Sequence, residues 1–217
     1  LQGILEQTIS SAAGYPVEID GSGRTDAGVH ANGQTATVVL SGQAEDGFFT
    51  EKINSRLPGD IRILDAELVR NGFHARKSAV GKRYIYQLDL AEKPDVFTRR
   101  YTYHFPQQLD LEAMRKAAKL LTGTYEFAGY TDKKDEKSTK RTIYAIMICG
   151  QGSKVNIHYE GTGFLYHMVR ILTGTLLEVG TGARSIESVK EPLKTKDRSQ
   201  AGFLAPARGL FLDEVFY

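Results

Sequence analysis

The sequence predicts an α+β protein made of two successive halves, each a mainly antiparallel sheet with helices on one face. Three observations carry this. Short runs rich in β-branched and aromatic residues alternate apolar with polar, as in Arg83-Tyr84-Ile85-Tyr86-Gln87-Leu88-Asp89-Leu90. Between them stand segments whose apolar residues recur at threes and fours, such as Leu111, Met114, Ala118 and Leu121. The order of elements, roughly αββαββ and then βαββααβ, repeats one grammar and divides the chain into residues 1–104 and 105–217.

In chain order, Leu1, Ile4, Leu5, Thr8 and Ile9 mark one face of an opening helix that Gly14 and Pro16 close. Val17-Glu18-Ile19 and Thr35 to Leu40 read as strands on either side of a glycine-rich loop. Phe49, Ile53 and Leu57 recur at fours, giving a short helix stopped by Pro58-Gly59. Ile61 to Val69 reads as a strand whose apolar phase slips near Ile63-Leu64, as a bulge causes. Tyr84 to Leu90 and Tyr101 to Phe105 alternate as further strands. In the second half Asp110 is the expected N-cap of a helix that ends at Gly123. Thr131 to Lys140 is a polar loop, followed by strands at Thr142–Cys149 and Lys154–Glu160. A strongly apolar helix is expected from Phe164 to Val179, then a capped segment from Ser185 interrupted by Pro192. Leu210 to Tyr217 closes as a strand. The chain opens on Leu1 within a helical pattern, and the first half lacks the opening strand of the second; both lead us to expect a missing N-terminal segment.

Composition narrows the function classes. A 217-residue chain with 41% hydrophobic residues can bury a sizeable core. No apolar run reaches the roughly 18–20 residues of a membrane span. Leu1 to Ile9 carries Gln2, Glu6 and Gln7, unlike a signal peptide. The single Cys149 allows no internal disulfide, so a cytoplasmic location is expected. The net charge is only +2, but cations cluster at Arg76, Lys77, Lys82 and Arg83, and again at Lys133, Lys134, Lys137, Lys140 and Arg141. Such patches suit a polyanion and also occur on ordinary solvated surfaces.

Three stretches hold candidate chemistry. In Gly21-Ser22-Gly23-Arg24-Thr25-Asp26-Ala27-Gly28-Val29-His30-Ala31, three glycines surround one short acid. A phosphate-binding P-loop needs lysine where Val29 stands, and no βαβ unit follows to make a dinucleotide site. The five histidines show no metal-ligand spacing with Cys149 or a carboxylate pair, so no metal is expected. Asp26 is thus either a chemical centre or the cap of a tight hairpin. Phe73-His74-Ala75-Arg76 and Lys82-Arg83-Tyr84-Ile85-Tyr86 place cations beside aromatics, which suits phosphates and stacked bases. The same pattern also describes a strand with its tyrosines in the core. Gly161-Thr162-Gly163-Phe164-Leu165-Tyr166-His167-Met168-Val169-Arg170 puts glycines before a helix, a natural anion site. Its Arg170 lies at the edge of a buried face and needs a carboxylate partner.

Taken together, these blocks resemble the tRNA pseudouridine synthase A family. The resemblance runs through Gly23 to Ala31, Phe73 to Arg76, Lys82 to Tyr86, Gly163 to Arg170 and Ala205-Pro206-Ala207-Arg208-Gly209-Leu210, in the family's order and over nearly the whole chain. It implies two ferredoxin-like (RRM-like) halves with mainly antiparallel sheets, meeting at a central RNA-binding cleft: the pseudouridine synthase fold, working as a homodimer. It implies isomerisation of uridine to pseudouridine at positions 38–40 of the tRNA anticodon stem-loop, without metal or organic cofactor. Carried over by motif, Asp26 is the catalytic carboxylate, Arg170 its counter-ion, and Tyr84 the ring that stacks on the target base and helps in removing the C5 proton. Arg24 helps hold the nucleotide out of its helix, an extrusion costing a few kcal/mol. His30, Arg76, Lys82 and Arg83 are implied contacts to phosphates or sugar hydroxyls, and Phe164 and His167 form the pocket wall. The glycines then serve as clearance for a flipped nucleotide. The expected missing segment raises one alternative, a catalytically inactive RNA-binding module.

Overall fold

The computed structural model describes residues 1–42, 44, 46–133 and 138–217. Lys134 and Lys137, part of the second cationic cluster, lie outside the described residues. The chain divides into two compact units. The first holds Leu1–Arg24 and Gln34–Ala79, and the second Thr25–Gly33 and Val80–Tyr217.

In the first unit, helix α1 (Gln2–Ala13) ends as its sequence predicts, with Gly14 in the left-handed conformation at φ 82°. Strands β1 (Ile19–Gly21) and β3 (Ala36–Val38) pair antiparallel, Asp20 opposite Thr37. Ile9, Val17, Ile19 and Ile53 form the small core, with Leu5, Phe49 and Ile63 against it. The expected helix at Phe49–Leu57 is a wide π-turn over Phe48–Ile53 that tightens to a 3-10 turn at Asn54–Arg56. The expected strand at Ile61–Val69 does not form. The Asn54 side chain accepts from the Ile63 N–H and donates to its carbonyl, each at 2.8 Å, so a side chain takes the place of a ladder partner. Leu64 and Leu68 consequently stay exposed.

In the second unit the described residues form a seven-stranded, mainly antiparallel sheet. Its strands are β2 (His30–Ala31), β4 (Gly81–Asp89), β5 (Tyr103–His104), β6 (Gly123–Glu126), β7 (Lys140–Gln151), β8 (Lys154–Gly161) and β9 (Leu210–Phe216). The order is β2-β9-β4-β8-β7-β6, with β5 beside β4, and only the β2–β9 and β4–β5 pairs are parallel. A boundary after residue 104 therefore divides a hydrogen-bonded sheet, because β4 pairs with both β8 and β9. The alternation of residues 81–89 sends Tyr86 and Leu88 into the core. There they meet Met114, Ala118 and Leu121 of helix α2 (Leu111–Leu121) and Ile171, Leu172 and Leu176 of helix α3 (Met168–Gly180). The α2 cap is as expected: the Asp110 carboxylate accepts from the N–H groups of Glu112 and Ala113.

Three expectations shift here. Tyr101 is taken by a turn, its N–H donating to the Thr98 carbonyl at 2.8 Å, so β5 shrinks to two residues. Pro192 does not interrupt the segment after Ser185. It sits in the first turn of helix α4 (Glu191–Thr195), where a missing N–H costs nothing. The apolar helix starts at Met168, not Phe164, because His167 is left-handed (φ 63°) and breaks the run. Gly161 and Gly163 therefore do not open that helix's N-terminus. Among the described residues no helix is long and apolar enough to cross a membrane.

Candidate active site

Every side chain in the following constellation belongs to the second unit. Asp26 lies in the loop just before β2, in a turn closed by the Val29 N–H donating to the Asp26 carbonyl at 3.1 Å. Gly28 makes that turn possible with φ 82°, a conformation that other residues rarely adopt. A Cβ added there meets only the Ala207 Cβ, at an ordinary 3.5 Å, so the glycine is required for conformation rather than for clearance.

Arg170 enters from the first turn of α3. Its Nη1 donates to Asp26 Oδ2 at 2.8 Å and its Nε to the Ala205 carbonyl at 2.7 Å. Ala205 is brought within reach by close backbone approach. A Cβ on Gly174 would lie 1.9 Å from the Phe203 carbonyl oxygen, so α3 accepts the 202–205 segment only where it has no side chain. The pair is largely shielded from water, the Arg170 side chain being 12% exposed and that of Asp26 22%.

Tyr84 comes from β4 at a point where the ladder slips. Arg83 faces Glu214 and Tyr84 faces Leu212, so Asp213 of β9 is an extra residue, a bulge of the kind that re-aims neighbouring side chains. Phe164 packs edge-on to the Tyr84 ring, with centroids 5.4 Å apart. Burial, and next the Asp26 carboxylate, push the Tyr84 phenol up to about 12. It therefore keeps its proton at neutral pH.

His167 completes the group. Its Nε2 lies 3.3 Å from Asp26 Oδ2, and its Nδ1 is 2.6 Å from Asp132 Oδ2. Its ring stacks on Tyr166 at 3.7 Å. The other Asp132 oxygen accepts from Arg198 Nε at 2.8 Å, and Arg198 Nη1 donates to the Gly202 carbonyl at 2.9 Å. Burial pushes the Asp132 carboxyl up, but the hydrogen bonds from His167 and Arg198 outweigh it and hold the group below the ordinary value. Asp132 and Arg198 escape sequence reading. Asp132 stands at the edge of the polar run at 131–140, and nothing local pairs it with Arg198, 66 residues away.

The remaining expected residues are dispersed. Lys82 shares the face of β4 that carries Tyr84. Arg83, on the opposite face, is already shared among Glu160 at 2.6 Å, Glu214 at 2.9 Å and Asp213 at 3.8 Å. His30 packs against Tyr101 and Phe211, its Nε2 2.9 Å from the Arg100 carbonyl oxygen. It lines a cavity of about 640 Å³ that also touches Gly28, Arg99, Arg100, His104 and Arg208 but not Asp26. Arg24 and Arg76 belong to the first unit, where both are exposed. There the Ala75 N–H donates to Thr37 Oγ1 at 2.6 Å and the Arg76 N–H to His74 Nδ1 at 3.1 Å, pinning this stretch beside β3.

The constellation holds one carboxylate against an arginine beside an aromatic wall. A family profile described as tRNA pseudouridine synthase matches residues 1–76 and 117–217, segments that include Asp26, His167 and Arg170. The tRNA pseudouridine synthase A of Geobacillus sp. (strain WCH70) is 41% identical over 219 aligned residues, covering 100% of this chain and 88% of that protein. That of Lacticaseibacillus casei (strain BL23) is 42% identical, over 100% of this chain and 90% of its own length. The Bacillus subtilis (strain 168) protein of the same name is 44% identical over 93% of this chain and 82% of its own. The chain belongs to the tRNA pseudouridine synthase family and is an isomerase.

Proposed function

We propose that this protein converts uridine to pseudouridine at positions 38–40 of the tRNA anticodon stem-loop, with Asp26 as the catalytic carboxylate. The observation that carries the reading is the ion pair of Asp26 Oδ2 with Arg170 Nη1 at 2.8 Å beside the Tyr84–Phe164 edge contact. In the reaction the N1–C1′ bond breaks, the base turns, and a C5–C1′ bond forms. The C5 proton is lost and N1 ends protonated, so no redox partner is needed. Asp26, held by Arg170, attacks the sugar or the base. Tyr84 and Phe164 hold the extruded base by its faces and edges. With a phenol held at about 12, Tyr84 acts as a protonated platform and donor rather than as a resident base.

Arg24 and Arg76 supply cations for the RNA backbone, and His30 and Lys82 reach phosphate or sugar hydroxyl from the second unit. The reading extends to two ferredoxin-like halves and to a homodimeric working form. The experiment is tritium release from tRNA labelled at uridine C5, followed by carbodiimide-dependent primer extension to locate the product. Stops at positions 38–40 are expected. Release without stops there would refute the assigned positions, and tRNA binding without any release would mark an inactive RNA-binding module.

A further inference from the structure

The residue next to the proposed nucleophile in space carries a backbone that needs explaining. Among the described residues, His167 and Lys196 are the non-glycine residues at positive φ. Left-handed backbone away from glycine is uncommon and persists where its surroundings enforce it. At His167 they do: the Met168 N–H donates to the Leu165 carbonyl at 3.1 Å, and Thr131 Oγ1 donates to the Tyr166 carbonyl at 2.9 Å. This second bond fastens the turn holding Asp132 to the turn holding His167. The result is an alternating row, Arg170, Asp26, His167, Asp132, Arg198, in which the imidazole stands between two carboxylates.

The row is asymmetric at its centre. Arg170 Nη1 and His167 Nε2 both approach Asp26 Oδ2, and among the described residues no ion pair or hydrogen bond falls on Oδ1. Asp132, by contrast, spends one oxygen on His167 and the other on Arg198. Arg170 donates to this oxygen and the His167 ring stands against it, so two neighbours on one oxygen hold the plane of the carboxylate. Arg198, anchored on the Gly202 carbonyl, fixes Asp132, and Asp132 fixes the ring.

We propose that Asp132 and Arg198 are positioning residues that act through His167: they orient its ring so that His167 and Arg170 together hold Asp26 by Oδ2 and leave Oδ1 as the attacking oxygen. This rests on the reading of Asp26 as the catalytic carboxylate. In this role the outer groups need not touch the substrate. Their contribution is geometric, and misplacing a reacting atom by about 1 Å can cost on the order of 100-fold in rate.

The test uses single-turnover tritium release from C5-labelled tRNA with saturating full-length protein, beside a direct tRNA-binding measurement. Asp132→Asn should slow release about tenfold or more while tRNA affinity stays within about twofold. Arg198→Gln should change both in the same directions. His167→Asn retains a residue that tolerates left-handed backbone. The double variant Asp132→Asn/His167→Asn should be no slower than His167→Asn alone, because Asp132 acts only through that ring. A wild-type rate in Asp132→Asn, or losses that multiply in the double variant, would overturn the proposal. Asp26→Asn is measured alongside. If it turns over at the wild-type rate, the assignment of Asp26 fails and this inference falls with it; if it is dead while Asp132→Asn is wild type, only the positioning role fails.

Discussion

Asp26 has two oxygens, and the fold gives both Arg170 and His167 to one of them. That arrangement makes the roles of single residues separable. Replacing Arg170 with Met removes the 2.8 Å partner and leaves the carboxylate with His167 alone. Activity should be lost, and chemical denaturation should show a destabilisation on the order of 2–3 kcal/mol. This is below the usual figure for a fully buried pair, because both side chains keep some exposure to water. Unchanged stability together with an unchanged rate would refute the pairing. Tyr84 gives a spectroscopic check. Its phenol is raised to about 12, so the neutral form is favoured in the folded state; the stability this brings is full below about pH 10 and lost as pH rises towards 12. The phenolate absorbance difference between wild type and Tyr84→Phe should therefore appear only above roughly pH 11. Asp132 has the opposite sign. Its carboxyl is held below the ordinary value of 3.8, so its stabilisation is present above that pH and is lost on acidification. Asp132→Asn should cost stability at neutral pH, and that cost should shrink below about pH 4 in thermal melts.

At the scale of elements, the site depends on how closely the chain can run past α3. Gly174 carries no Cβ where the Phe203 carbonyl passes, and the Gly202 N–H donates to Thr175 Oγ1 at 2.9 Å on the same helix. Gly174→Ala puts a methyl group 1.9 Å from that carbonyl oxygen, so the 202–205 segment must move. Ala205 would then release Arg170 Nε, and Asp26 would lose its fixed partner although neither residue was changed. A fall in melting temperature with a loss of tritium release is the expected outcome; a variant with both unchanged would show that the segment has slack. The helices themselves were legible because their signals are local. Asp110 announces α2 through its own side chain, and Gly14 ends α1 through its own φ. The start of α3 was not legible. Phe164 to Val169 reads as helical by hydrophobicity, and only the turn at Leu165–Met168 together with the bond from Thr131 forces His167 out of the helix.

For the molecule as a whole, the sequence carried the family and the inner residues of the candidate site, and left out those that surround them. Asp26, Tyr84 and Arg170 lie in three distant stretches, yet each sits in a motif of its own and so can be found singly. Asp132 and Arg198 have no such setting, and their meaning appears only when 66 intervening residues fold back. The strand expected at Ile61–Val69 failed for a related reason, since its phase is legible but its partner is not: Asn54 supplies the bonds instead. Charge is nearly balanced at +2 overall, so affinity for RNA must come from local cations. Arg76 and Arg83 should therefore behave differently. Arg76→Ala should lower the slope of log affinity against log salt by about one, as loss of one phosphate contact does. Arg83→Ala should leave the slope nearly unchanged, because Glu160, Glu214 and Asp213 already share its guanidinium. Equal slopes in both variants would contradict this division. The most direct measurement is single-turnover tritium release by Asp26→Asn, read beside its affinity for the same C5-labelled tRNA. The expected result is no release above background with affinity within about twofold of wild type; release at the wild-type rate would contradict the account at its centre.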